Sequence, residues 1–193
     1  MIVKWIAVAV FFLQLPNPIF WLVLHPQMRF WRNHVRAAYI TALMAAWGLV
    51  TIFLVAFHSA ILRRDVPSDV QIGAGLLLIA LDLRLFAKVR RDMGTSRLIG
   101  KTELAGGGEV ASAGIYSRIR HPRYAGMLSS VLGACLLVAT PLMWGIAAAW
   151  FLLVMIVIGF EERELRARLG EAYAEYCQRV PRFIPRRNAV HTK

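Results

Sequence analysis

Residues 124–160 read YAGMLSSVLGACLLVATPLMWGIAAAWFLLVMIVIGF, two apolar runs that are separated only by Thr140 and Pro141. A connection this short joins two antiparallel helices, because it leaves the chain no length to cross over. Each run approaches the roughly 20 apolar residues that a helix needs to cross the hydrocarbon core of a bilayer. The stretch therefore predicts a membrane-spanning hairpin that returns the chain to the side it left.

Long apolar runs also occur toward the N-terminus. We expect three further spans at about residues 2–24, 37–58 and 70–88, of which the first contains Pro16-Asn17-Pro18. Two prolines remove two backbone donors, so this helix must either kink for packing or break to line a substrate path. The sequence as a whole predicts an all-α, polytopic membrane helix bundle with about five transmembrane helices.

The composition supports this fold class. Of the 193 residues, 58% are hydrophobic and 18% are charged, which is more apolar side chain than one water-soluble core of this length can hide. The formal net charge is nevertheless +12. A nucleic-acid-binding protein is also basic, but it does not devote most of its length to apolar runs, so we expect no nucleic-acid partner.

The basic residues lie in the connecting segments, and their distribution predicts an orientation. The loop before the hairpin and the tail after it are rich in arginine, so the positive-inside rule places both in the cytosol beside anionic lipid heads. Counting back through the spans places Arg29, Arg32 and Arg36 inside, and Arg63 and Arg64 outside with the N-terminus. We expect an integral, multi-pass protein, in the cytoplasmic membrane if it is prokaryotic.

The segment RHPRYAG, residues 120–126, opens the first helix of the hairpin at Pro122. Proline fits the first position of a helix, where its missing N–H costs nothing. The neighbouring free N–H groups favour an anion, as do Arg120, His121 and Arg123 around them. Taken alone, the segment fits either a basic interfacial anchor or a site for an anion or a polar head group.

Glu161 and Glu162 directly follow the second run of the hairpin, at the membrane face where RHPRYAG lies. Acids are disfavoured at that depth unless they are paired or functional. One of them could form an ion pair with Arg120 or Arg123, or the pair could bind a cationic ligand through charge-assisted hydrogen bonds. Asp82, near the cytosolic end of the third span, is a functional-site candidate by the same argument.

The tail beyond the glutamates has apolar residues every three to four positions, which predicts an amphipathic C-terminal helix along the interface. These residues are Leu165, Leu169, Tyr173, Tyr176 and Val180. Gly170 is expected to interrupt the helix. With Phe183 and Ile184, the tail could close a cytosolic lid over the mouth of the hairpin, although adhesion to the surface explains the pattern equally well.

Three other features favour no site. Gly106-Gly107-Gly108 lacks the preceding strand and the following helix of a dinucleotide-binding fingerprint, so it predicts a flexible loop. Cys135 and Cys177 form neither a CxxC pair nor a disulfide framework. The histidines, His25 among them, have no ligand spacing, so we expect no metal site.

The motifs together resemble a known enzyme superfamily. GIYSRIRHPRYAG (residues 114–126), the apolar hairpin and FEERELRARLGEAYAEYCQRVPRFIP (residues 160–185) follow in the order and spacing typical of it. LRLFAKVRRDMG, at the end of the third span, is similar to its Arg-containing helix end. The superfamily is that of the integral-membrane isoprenylcysteine carboxyl methyltransferases and phospholipid methyltransferases, and the resemblance covers about residues 73–185.

The resemblance implies the cofactor S-adenosylmethionine in a pocket that faces the cytosol. It also implies two regions, residues 1–69 with about two N-terminal spans and residues 70–193 with the methyltransferase core. The implied cofactor-binding residues are Tyr116, His121, Pro122, Tyr124, Gly126, Glu161 and Glu162. The implied catalytic residues are Glu161, Glu162 and Arg120.

The methyl acceptor is implied only as a class, a lipophilic small molecule or a lipidated acceptor among membrane lipids. Members of the superfamily methylate prenylated cysteine carboxyls, phospholipid amines or small thiols, and nothing in the sequence separates these acceptors. Two other functions stay open. One is an NADPH-dependent membrane reductase on the same scaffold, and the other is a non-catalytic module that binds anionic lipid through its arginines.

Overall fold

The computed structural model describes residues 2–62, 65–98, 100–105 and 108–185. All regular structure within these ranges is helical. The helices are α1 (Ile2–Gln14), α2 (Pro16–Leu24), α3 (Met28–Arg32), α4 (Val35–Ala56), α5 (His58–Ile61), α6 (Asp69–Met93), α7 (Thr95–Leu98), α8 (Lys101–Leu104), α9 (Pro122–Val138), α10 (Pro141–Leu169) and α11 (Glu171–Arg179), with 3-10 turns at His25–Gln27 and Gly114–Ser117. The predictions made for Arg63, Arg64, Gly106 and Gly107 lie outside the described residues.

The predicted membrane helix bundle is confirmed, with one difference in the number of long spans. Within the described ranges, four helical segments are long and apolar enough to cross a membrane: Ile2–Arg32, Val35–Ala56, Asp69–Met93 and Pro141–Leu169. The fifth predicted span is α9, an apolar helix of 17 residues, about 25 Å long at 1.5 Å per residue. Since twelve of those residues are buried, α9 is surrounded by other helices and depends little on lipid contact.

Helix α9 is the centre of the bundle, and α6, α1 and α10 pack against it. Its closest neighbour is α6, because Gly133 and Gly75 let the two backbones meet. A Cβ atom on Gly133 would lie 2.6 Å from the carbonyl oxygen of Gly75. Small residues at a crossing are the usual means of close helix packing in membranes.

The chain stays helical through the proline pair near the N-terminus. Leu15 keeps helical φ and ψ angles of −61° and −33°, and its N–H donates to the carbonyl of Phe11 at 2.9 Å. Pro18 cannot donate to the carbonyl of Gln14, so Asn17 Nδ2 donates to it instead at 3.2 Å. Beyond Leu15, α2 packs against α4 and α10.

The hairpin between α9 and α10 forms as the sequence predicts. Ala139 has a left-handed φ of +60°, and its N–H donates to the carbonyl of Cys135 at 2.9 Å, which ends α9. Thr140 is extended and Pro141 begins α10. The end of α10 therefore returns to the start of α9.

The tail folds back over this end of the bundle. Gly170, with φ +57°, separates α10 from α11, and Tyr173, Tyr176 and Val180 bury the predicted apolar face. Beyond α11, the N–H groups of Arg120 and His121 donate to the carbonyls of Pro181 and Arg182 at 2.8 and 3.0 Å. This pairing attaches the tail to the segment that opens α9.

The two apolar residues at the end of the tail have different environments. Phe183 packs against the core, with its ring centroid 6.2 Å from that of His121. Ile184 is 81% exposed and contributes nothing to a lid.

The N-terminal helices share one apolar core with α9 and α10. The division into residues 1–69 and 70–193 thus stays a prediction from the sequence.

The contact between Gly133 and Gly75 predicts the effect of a larger side chain. We expect Gly133→Leu to cost about 1–3 kcal/mol, because it inserts volume where two backbones already touch. The matched control is Gly145→Leu, since a Cβ atom on Gly145 meets nothing within 4 Å. Thermal unfolding of both variants in detergent measures the difference, and equal melting temperatures would contradict the close approach.

Candidate active site

A cavity of about 410 Å³ lies where the start of α9 meets α2, α6, α10 and α11. Its volume is in the range of small-molecule binding sites. Six of the residues predicted for the site line this cavity: Tyr116, Arg120, His121, Pro122, Tyr124 and Glu161. The other two, Gly126 and Glu162, lie behind its wall.

Unpartnered polar atoms are concentrated at this cavity. In the part of the chain that the structure describes, seven buried side-chain atoms have no hydrogen-bond partner, and five of them belong to residues that line the cavity. These five are Nδ1 of His25, Nε and Nη1 of Arg120, Oε2 of Glu161 and Oε2 of Glu164. Buried polar groups are normally hydrogen-bonded. The set therefore indicates a polar ligand that carries both positive and negative charge.

Glu162 is 1% exposed and points away from the cavity into a cluster of basic groups. Its Oε1 lies 3.1 Å from Nε2 of His121, 3.0 Å from Nε of Arg182 and 3.5 Å from Nη2 of Arg120. Its Oε2 accepts from Arg182 at 2.8 Å and from Arg166 at 3.4 Å. The ion pair expected with Arg120 is therefore present, as one of several contacts that Glu162 makes.

Glu161 has a different environment, because consecutive residues on a helix point about 100° apart. It lines the cavity, where its carboxylate interacts with the hydroxyl of Tyr124 and Oε2 has no partner. Across the same cavity, Arg120 uses Nη2 toward Glu162 and leaves two nitrogens without a partner. A free carboxylate oxygen and a free guanidinium edge thus face one space.

Asp82 is 3% exposed and belongs to a polar network between three helices. It accepts from Gln14 of α1 at 2.6 Å and from Arg123 of α9 at 2.8 Å, and Arg123 donates in turn to Gln14 at 3.1 Å. Gly126 faces this network, because a Cβ atom there would lie 2.6 Å from Oδ1 of Asp82. Asp82 therefore fixes Arg123, whose guanidinium lies 5.0 Å from the Phe86 ring centroid at the cavity wall.

Tyrosines form much of the remaining wall. The hydroxyl of Tyr176 donates to the carbonyl of Tyr116 at 2.8 Å, which connects α11 to the loop before α9. Burial raises the pKa of Tyr116, Tyr173 and Tyr176 above the usual value, so all three phenols are neutral at pH 7. They supply aromatic surface and O–H donors, and none of them acts as a base there.

The sequence analysis missed two residues of the cavity that carry unpartnered atoms. Glu164 lies three positions after Glu161, a spacing that places both on one face of α10 and could have revealed it. Its Oε1 accepts from Arg32 at 2.8 Å and from Arg168 at 2.9 Å. His25 comes from the N-terminal span, and no local motif marks it.

Comparison with known proteins shows the family of this chain. Residues 70–172 match the model of the family described as phospholipid methyltransferase. The chain belongs to the phospholipid methyltransferase family. The matched region contains α9 and α10 complete, and with them RHPRYAG and both glutamates.

Three curated relatives are identical to this chain at about a third of the aligned residues. Methanethiol S-methyltransferase 2 of Bradyrhizobium diazoefficiens is 35% identical over 72 residues, which are 37% of this chain and 27% of that protein. Methanethiol S-methyltransferase 1 of the same organism is 34% identical over 76 residues, 39% of this chain and 26% of its own length. Protein-S-isoprenylcysteine O-methyltransferase B of Arabidopsis thaliana is 33% identical over 82 residues, 40% of each chain.

The alignments span between about a quarter and two fifths of the length of these relatives. No solved structure matches the chain. Family membership thus rests on the region that contains the hairpin, while α1 to α5 lie outside the matched residues.

The contacts of Glu162 predict that its loss releases the tail. Glu162→Gln removes the charge that Arg120 and Arg182 share, and breaking a buried ion pair costs about 3 kcal/mol. We expect limited trypsin digestion to cleave this variant faster at Arg182 than it cleaves the unsubstituted protein. Glu175→Gln, at an exposed position of α11, is the control, and equal cleavage rates in all three proteins would contradict the role of Glu162.

Proposed function

We propose that the protein is an integral-membrane, S-adenosylmethionine-dependent methyltransferase that acts on a lipophilic acceptor at the cytosolic face. The observation that carries the proposal is the cavity at the start of α9, where a carboxylate oxygen of Glu161 and two nitrogens of Arg120 lie buried without partners. Family membership supplies the reaction class, methyl transfer.

The residues of the cavity fit the cofactor. S-adenosylmethionine carries a sulfonium and an ammonium group, a carboxylate and an adenine ring. Arg120 and the positive end of the α9 helix dipole suit the carboxylate. Glu161 suits the cationic groups, and the walls of Tyr116 and Tyr173 suit the adenine. When bound, the cofactor supplies an electrophilic methyl group on its sulfonium sulfur.

The protein contributes placement and the exclusion of water, which account for much of the acceleration in such reactions. Glu162 acts as a positioning residue, because it holds Arg120 and His121 at the cavity and also binds Arg182 of the tail. The backbone hydrogen bonds of the tail hold the segment that opens α9 in place. Arg123 is held in the same way by Asp82.

A lipophilic acceptor would enter the cavity sideways from the bilayer. Phe86 supports this route, since it lines the cavity and is also 37% exposed on the outer side of α6. Leu83, three positions before Phe86 on α6, is also exposed on this part of the helix surface. The reactive head of the acceptor would then lie beside the arginines of the cytosolic loop, in accord with the positive-inside rule.

Direct binding and transfer experiments test this proposal. We expect the purified protein to transfer labelled methyl from S-adenosylmethionine to a component of a lipid extract, and S-adenosylhomocysteine to raise its melting temperature. Glu161→Gln should weaken binding of S-adenosylhomocysteine about 10- to 100-fold, because it removes one charge-assisted hydrogen bond worth about 1.5–3 kcal/mol. Glu175→Gln serves again as the matched control.

Two results would overturn the proposal. Stabilisation by NADPH without stabilisation by S-adenosylhomocysteine would favour a reductase. If neither NADPH nor S-adenosylhomocysteine stabilises the protein, and its lipid binding weakens sharply with added salt, a non-catalytic module would be favoured. Mass spectrometry of the labelled product identifies the acceptor when transfer occurs.

A further inference from the structure

His25 belongs to the N-terminal part of the chain, outside the residues that match the family. It begins the 3-10 turn after α2 and is 7% exposed, and its ring is stacked on Trp21 with the centroids 4.9 Å apart. It lines the cavity, and its Nδ1 has no hydrogen-bond partner. A buried, unpartnered imidazole nitrogen at a cavity is a site for a proton or for a ligand donor.

Charged groups face this imidazole from the helix that packs against the turn. Glu161, Glu164 and Arg168 of α10 all act on His25 electrostatically. Glu164 shares its Oε1 between Arg32 of α3 and Arg168, which leaves Oε2 unpartnered and buried. The cavity end thus holds an imidazole nitrogen and two carboxylate oxygens.

This arrangement discriminates between the possible methyl acceptors. A carboxylate acceptor beside His25 would meet the unpartnered carboxylate oxygen of Glu164, and like charges brought together in a buried site cost several kilocalories per mole. An amine or a thiol has no such conflict. Each must lose a proton before it can be methylated, a thiol from sulfur and a protonated amine from nitrogen, whereas a carboxylate has none to lose.

We propose that His25 is the proton acceptor of an acceptor subsite that takes a nucleophile with an N–H or S–H bond; this inference rests on the proposed methyltransferase function. The acceptor's proton goes to Nδ1 of His25, and the freed lone pair forms the bond to the methyl carbon. The bond between that carbon and the sulfonium sulfur breaks, and its electron pair stays on sulfur. The positive charge thereby moves from sulfur to the imidazole, where Glu164 stabilises it.

The subsite belongs to a part of the chain outside the family match. Residues 70–172 are matched, whereas Asn17, Trp21 and His25 come from α2 and the turn after it. All three line the cavity. The N-terminal span therefore supplies the residues that select the acceptor, and the hairpin supplies those that fit the cofactor.

The experiment compares acceptors and variants in detergent micelles. The acceptors are dodecylamine, dodecanethiol and N-acetyl-S-farnesylcysteine, which offer an amine, a thiol and a carboxylate. We expect the unsubstituted protein to methylate the amine or the thiol. His25→Gln should lower kcat for that acceptor about 100-fold, as expected for a lost general base. The stabilisation of the protein by S-adenosylhomocysteine should not change.

Two further variants separate proton transfer from a structural effect. Free imidazole should restore activity to His25→Ala and leave His25→Gln inactive, because only the alanine variant leaves room for it. The dependence of kcat on pH through the titration range of histidine should disappear in both. His34→Gln is the matched control, since His34 is exposed and its ring contacts Phe30 of its own turn, away from the residues that line the cavity.

The outcomes that contradict this inference differ from those that contradict the methyltransferase. Absence of methyl transfer to all three acceptors, together with no stabilisation by S-adenosylhomocysteine, would overturn the methyltransferase itself. Transfer to the carboxylate alone would overturn only the role of His25, as would a His25→Gln variant with unchanged kcat for the amine or thiol. Loss of S-adenosylhomocysteine stabilisation in His25→Gln would place His25 with the cofactor and would also overturn the subsite.

Discussion

The buried carboxylate of Glu162 connects three segments that the cavity requires. At the membrane interface such a group is costly unless several charged donors compensate it. Its donors are Arg120 and His121 before α9, Arg166 on α10, and Arg182 in the tail. One side chain therefore holds the start of the hairpin, the end of the hairpin and the segment that covers both. The charge-assisted hydrogen bond to Glu162 also raises the pKa of Arg182, so this contact stays charged at any physiological pH.

Glu161 and Glu162 have two different roles, one toward a ligand and one toward the protein, that a single carboxylate could not fill together. Glu162 is fully committed to protein partners, so it keeps the basic groups in place without a ligand. Glu161 keeps an unpartnered oxygen, and the rest of Arg120 stays free because Glu162 contacts only its Nη2. Groups fixed in this way need no rearrangement when charge changes in the cavity, which is the main electrostatic advantage of a preorganised site.

Local sequence signals predicted the parts of the fold that local chemistry determines. Thr140 and Pro141 predicted the hairpin, and Gly170 the break before α11, because turn residues act on their own neighbours. The sequence could not predict the partners of Asp82, since Gln14 and Arg123 reach it from two other helices. His25 was missed for the same reason.

The charges around the cavity are best counted as pairs. Five arginines line it against three glutamates, an excess of positive charge that would repel a cationic sulfonium. Asp82 offsets Arg123, however, and Glu162 and Glu164 offset Arg120 and Arg168. Of the other two, Arg90 of α6 is exposed and Arg97 of α7 is partly exposed, so water and salt screen both. The carboxylate of Glu161 is then the main charge in the part of the cavity beside Tyr124, so this part favours a cation. The part beside Arg120 favours an anion. A zwitterionic ligand satisfies both requirements only if its positive end lies toward α10.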